Sequence, residues 1–96
     1  LSLQDEYFES TAVDLQQRVQ MSICTAAQNI SSEDPSTPNH ASRNMLATQV
    51  ARNPQAYTQS FSTMLTAEGI TRASTDADIS NMVSSVWNTV AGTPTP

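Results

Sequence analysis

The chain has no lysine, one histidine, one cysteine and two glycines, and each shortage removes a class of function. Without lysine, the four arginines Arg18, Arg43, Arg52 and Arg72 are its only strong bases, and they are spread too far apart for a basic stripe. Nine carboxylates bring the net charge to -5 and the pI to about 4.4. Phosphate backbones and anionic lipid surfaces need clustered cations, so neither nucleic acid nor membrane is an expected partner. The lone Cys24 excludes an internal disulfide and every multi-cysteine metal site. His40 is the only imidazole, which closes off most zinc hydrolases. Glycine occurs only at 69 and 92, each at an expected helix end, so there is no phosphate-cradling loop, and no cofactor is expected. No apolar run approaches the roughly 20 residues that cross a bilayer, and the N-terminus lacks a basic region followed by a hydrophobic core. The chain is expected to be soluble and untargeted.

What is abundant is uncharged polarity. Ser, Thr, Asn and Gln supply most of the polar groups, while charged residues make up 14% of the 96 positions. Neutral polar groups cost less to desolvate than isolated charges, so such a surface suits close contact with neighbouring subunits; it equally suits a plain soluble exterior. The length fits one domain, residues 1–92, followed by a flexible or partner-bound tail, 93–96.

The most completely specified stretch is Thr75 to Gly92. Ile79, Met82, Val83, Val86, Trp87 and Val90 recur at three- and four-residue steps and so share one stripe of a helix. Thr75 with Asp78 reads as a capping box at its start, and Gly92 followed by Pro94 as its stop. Upstream, Ser2 and Asp5 resemble a helix start, and Phe8, Ala12, Leu15, Val19, Ile23, Ala26 and Ile30 form a long apolar seam. Ser10 and Thr11 interrupt it, so one helix or two, 3–9 and 11–30, both remain open. Residues 31–38 carry two prolines and no apolar anchor and read as a loop. Thr37 as cap and Pro38 at the first position predict a second helix, with Ala41, Met45, Leu46, Val50 and Ala51 inward. Asn53 and Pro54 repeat that arrangement for a third helix. Its stripe is Tyr57, Phe61, Met64 and Leu65, and its end a Schellman-type Gly69-Ile70. The expected fold class is all-α: a small bundle of four, possibly five, helices with short loops.

Chemistry is scarce along this framework. Asp76 and Asp78 lack the glycine and distal glutamate of a calcium loop and read as helix-start acids. Glu6 and Glu9 fall under the same reading. A nucleophile would need His40 as its base and a third group to orient it. Cys24 sits beside Ile23 with no basic neighbour to lower its pKa and reads as a small packing residue. Trp87 has two readings, a core anchor or an aromatic that inserts into another protein. His40 and Arg43, three residues apart on one helix face, could tie the second helix to an acidic residue of the first or touch a neighbouring subunit.

Three segments together bear a resemblance: Pro38 to Arg43 (Pro-Asn-His-Ala-Ser-Arg), Arg52 to Tyr57 (Arg-Asn-Pro-Gln-Ala-Tyr), and Thr75 to Gly92 (Thr-Asp-Ala-Asp-Ile through Val-Ser-Ser-Val-Trp-Asn to Ala-Gly). With Asp5 to Tyr7 they are similar to small helical virion-associated proteins of tailed bacteriophages and prophages, over nearly the whole chain. The resemblance implies a non-enzymatic structural component, located in the virion and in the host cytoplasm during assembly. It carries no catalytic residue. The expected place is an adaptor or connector at the head-tail neck, with a capsid or tail decoration protein, or a soluble phage regulator binding a host protein, as alternatives. Implied partners are other virion proteins (portal, connector, capsid or tail subunits) in a multi-copy or homo-oligomeric arrangement. The candidate contact residues are Asn39, His40, Arg43 and Trp87, with the 31–38 loop and the tail.

Overall fold

The computed structural model describes residues 3–91, with side chains described from Leu15 onward. Among these residues there are four helices and no strand: α1 (Leu3–Ser32), α2 (His40–Arg52), α3 (Pro54–Ala67) and α4 (Asp76–Ala91). Every pair of helices is in contact, and α1 packs on all three others. At about 1.5 Å per residue α1 is roughly 45 Å long, and it sets the 54 Å long axis of a body 24 by 20 Å across.

The first helix is continuous, so Ser10 and Thr11 do not divide it. Each costs only a few tenths of a kcal/mol in helix propensity, too little to stop a helix of this length. From Leu15 onward its seam does what the spacing predicts. Val19, Ile23 and Ile30 are buried, and Leu15 and Ala26 pack at the edge of the core. Opposite them sit Leu46 and Val50 of α2, Phe61 and Leu65 of α3, and Ile79, Val83, Val86 and Trp87 of α4. Burying each large side chain contributes about 1.5–3 kcal/mol before entropy is subtracted, and these twelve buried hydrophobic residues form one cluster. The expected starts at Ser2 and stops at Gly92, and the 93–96 tail, lie outside the described residues.

The second helix starts later than the Thr37-Pro38 signal predicts. Asn39 adopts a left-handed conformation, φ 69° and ψ 8°, which no residue within a right-handed helix can hold. The first helical turn therefore closes after it, with the Arg43 amide donating to the Asn39 carbonyl at 3.0 Å. Thr37 and Pro38 belong to the preceding turn, where the Thr37 carbonyl accepts from the His40 amide at 3.0 Å. The inner face shifts too. Leu46, Ala47 and Val50 point inward, whereas Ala41, Met45 and Ala51 are exposed, Met45 at 64%. Because α1 continues through Ser32, the connection occupies 33–39 rather than 31–38.

The ends of α3 and α4 follow their signals more closely. Pro54 opens α3, after Asn53 alone as linker. At the far end the Ile70 amide donates to the Leu65 carbonyl and the Gly69 amide to the Thr66 carbonyl, each at 3.0 Å. These two bonds are the Schellman pair, and Gly69 takes the positive φ, 89°, that the motif requires. Thr75 caps α4: its hydroxyl accepts from the Asp78 amide at 3.1 Å, the hydroxyl half of the expected box. On the expected stripes, Met64 and Val90 sit at the exposed edge instead of the core.

A Cβ placed on Gly69 meets no atom within 4 Å, so substitution there carries a backbone cost alone. Gly69→Ala is expected to lower stability by about 1–2 kcal/mol in denaturant titration without changing the helical circular-dichroism spectrum.

Candidate functional site

The sequence candidates converge on the corner where α1 hands over to α2. Glu33, the first residue past α1, places one carboxylate oxygen 3.0 Å from His40 Nδ1 and 2.8 Å from Arg43 Nη1. All three side chains are about four-fifths buried or more. Of the two expectations for His40 and Arg43, the internal tie is formed, but to Glu33 in the connection just past α1 and not to an acidic residue of the first helix itself. The backbone of Arg43 takes part as well, because its carbonyl accepts from the Trp87 indole N–H at 3.2 Å. Trp87 is 1% exposed and stacks edge-on with Phe61, ring centroids 5.9 Å apart and planes at 74°. Its position is the core-anchor reading, and as a ring presented to a partner it is corrected: the indole faces inward and its one donor is satisfied inside the chain. Asn39 is half-buried, and its contribution to the corner is the left-handed backbone that turns the chain into α2.

The loop beside this corner is locally knitted. Asp34 Oδ1 accepts from the Ser36 amide and the Ser36 hydroxyl, each at 2.9 Å, and the Asp34 carbonyl accepts from the Thr37 amide at 2.8 Å. The two Ser36 bonds, the amide first, hold the Asp34 carboxyl below its ordinary range, with His40 adding a smaller pull in the same direction.

A second polar strut has no counterpart among the sequence expectations. Arg18 on α1 reaches across to the turn before α4. It donates to the Arg72 carbonyl at 2.9 Å, to the Ser74 carbonyl at 2.8 Å, and to the Asp76 carboxylate from both Nε (3.1 Å) and Nη2 (2.6 Å). Two of these acceptors are backbone carbonyls, which leave no mark in side-chain identity, and these partners lie more than 50 positions away. The one available hint is Asp76 itself, which the sequence assigns to the helix dipole alone.

Cys24 is exposed on α1, not packed as expected, because the inward face of that turn is taken by Ile23 and Ala26. His40 is committed to Glu33. No group of three or more His, Cys, Asp or Glu among the described residues is placed to hold a metal ion. No helix among them is long and apolar enough to cross a membrane.

No family model, curated protein or solved structure matches this chain. Function must be read from the surface itself.

Several shallow grooves run between the described helices, and three of them bear on contact. The α1–α4 groove, about 560 Å³, is lined by Met21, Ser22, Thr25, Ile79 and Ser80 beside the Arg18–Asp76 pair, with Met21 70% exposed at its rim. Between α3 and α4 lies a groove of about 380 Å³ with Met64, Met82 and Val86 in its lining and Glu68 beside them. The third, between α1 and α3, is lined by glutamine, serine and threonine with Leu15 at one end. All three lie open to solvent.

Two sets of variants test the struts. Arg18→Met keeps the apolar stem but removes the donor to one exposed and one part-buried carbonyl, and is expected to cost about 0.5–1.5 kcal/mol. Asp76→Asn is expected to cost less than about 1 kcal/mol, because that carboxylate is 92% exposed and screened by solvent. At the corner, Glu33→Ala and Arg43→Ala are expected to be non-additive in a double-mutant cycle by at least about 0.5 kcal/mol, since each removes the same contact. For Asp34, whose folded pKa is depressed, the stabilising contribution is fully present above the unfolded pKa and disappears as pH falls through the folded one. An NMR titration is expected to place its midpoint below the ordinary aspartate value in the native chain, and to return it toward that value in Ser36→Ala.

Proposed function

We propose that this chain is a non-enzymatic structural subunit of a tailed-phage particle, an adaptor whose work is done by its surface and its rigidity. The carrying observation is where its functional groups are used. His40, Arg43 and Glu33 lock the α1–α2 corner, Arg18 and Asp76 lock α1 to the start of α4, and the indole of Trp87 holds α2 to α4. His40, which sequence alone allowed as a catalytic base, serves instead in a strut between helices. The exposed faces that remain are mostly hydroxyl and carboxamide, with methionines at the groove rims, a composition that supports contact with other proteins.

The resemblance of Pro38 to Arg43, Arg52 to Tyr57 and Thr75 to Gly92 to virion-associated proteins supports the particle as the setting. The head-tail neck is the position we favour, where an adaptor must keep its shape under load from both sides. A short bundle in which every helix touches every other has that rigidity. Quantitative mass spectrometry of purified particles tests the reading directly. The expected result is the chain present at a fixed ratio to the portal protein, of the order of a dozen copies for a ring. Hundreds of copies would move it to the capsid or tail surface, and absence from particles that are otherwise complete would overturn the structural role.

A further inference from the structure

Side-chain hydrogen bonds that join one helix to another are unevenly shared. Among the described residues they tie α1 and its end to α2 through Ser31 and Glu33, α1 to the start of α4 through Arg18, and α2 to α4 through Trp87. Helix α3 has one such bond, donated by the Tyr57 hydroxyl to Gln49 of α2 at 2.9 Å, and none to α1 or α4. Against those two helices Phe61 and Leu65, at 1% and 0% exposed, hold it by apolar contact.

The side that α3 turns to α1 also carries a penalty. Thr58 and Ser62, one turn apart, lie where α3 meets Gln16 of α1, yet both hydroxyl oxygens are sealed from solvent and neither has a hydrogen-bond partner. Nothing outside the closed bundle reaches them. A hydroxyl taken from water with no bond in exchange raises the free energy of the closed form, and the cost is returned once α3 lifts and water meets both oxygens. Buried groups left in this condition are uncommon in native chains. The two ends of α3 permit the movement. Asn53 alone, at φ -146° and ψ 66°, connects it to α2, and Gly69, at φ 89° with open space where a Cβ would stand, follows its C-terminal cap. Hinged elements move through changes in backbone angle at a few terminal positions of this kind.

We propose that α3 is a hinged element, which swings away from α1 and α4 about Asn53 and Gly69 as a rare excursion of the native chain. Helices α1, α2 and α4 stay joined by their struts as the frame, which keeps the shape an adaptor needs. The open form presents Phe61 and Leu65 to solvent, and the cost of exposing them keeps it rare. The inference stands apart from the virion reading: it concerns the purified chain alone, and either can fail without the other.

Native-state amide hydrogen exchange on the purified chain, read residue by residue by NMR at low denaturant, provides the test. Protection factors across α3 are expected to be at least about tenfold below those of the most protected amides of α1 and α4, and to share one opening. Thr58→Val combined with Ser62→Ala removes the stranded hydroxyls and is expected to slow exchange across α3 by about tenfold or more. Thr63→Val combined with Ser60→Ala makes the same changes of residue type at exposed positions of the same helix, and is expected to shift it by less than about threefold through helix propensity. Protection in α3 equal to that in α1 and α4 overturns the proposal. So does exchange across α3 that the Thr58, Ser62 variant slows no more than the exposed control does.

Discussion

The fold depends on the seating of one indole. Trp87 brings α4 against three neighbours at once: its ring meets the edge of Phe61 on α3, its N–H reaches the Arg43 carbonyl on α2, and it belongs to the same buried cluster as Ile23 and Ile30 of α1. A ring of this size removes some 150–250 Å² from water, more than any other residue here can. In a chain of 96 residues with a modest apolar content, that single burial is a large share of the driving force. The N–H must still find a partner, and the Arg43 carbonyl provides it near the start of α2, where Glu33 anchors the same residue's side chain. Packing and polar satisfaction thus fix one another at this corner.

From that constraint the division of labour follows. The charged struts each tie a helix to the beginning of another, from just past the end of α1 in one case and from midway along it in the other. Glu33 does this for α1 and α2, and Arg18 for α1 and α4. Inside, the contacts are aliphatic and aromatic, with Thr58 and Ser62 as the buried polar exceptions among the described residues. Outside, hydroxyl and carboxamide groups outnumber charges on the described surface between the struts. A molecule built this way has few charges left over for chemistry and a broad exterior for contact, which is the physical basis of the structural role proposed for it.

Much of this was legible in the sequence, for reasons particular to each element. The α4 stripe and the Gly69-Ile70 ending carry local signals, a period and a glycine that needs a positive φ, and both behave as local rules require. The Glu33–Arg43 tie was half-visible, since the basic pair was apparent and its acid lies only ten positions away. For the start of α2, Thr37-Pro38 and Asn39-His40 are both acceptable beginnings in sequence, and the left-handed turn at Asn39 decides between them through backbone geometry. Met45 and Ala41 were assigned inward on spacing alone, yet α2 is short and its hydrophobic pattern is weak, so the rotation is set by where Trp87 and Leu46 lie. The Arg18 strut is hard to see in sequence: two of its acceptors are carbonyls of a distant turn, which no residue type announces, and the Asp76 carboxylate also reads as an ordinary helix-start acid. Cys24 was placed inward as a small residue, but a seam stepping from Ile23 to Ala26 leaves position 24 on the outer face.

The account rests on Trp87 being sealed inside a body held together by its neighbours. Collisional quenching of its fluorescence by acrylamide and iodide, followed through a urea titration, tests this most directly, because it is the only tryptophan in the chain. The account predicts strong protection from both quenchers in native buffer, lost in one step that coincides with loss of helical circular dichroism. Native-state quenching as free as that of the unfolded chain, or release of the indole while the helices persist, would contradict it.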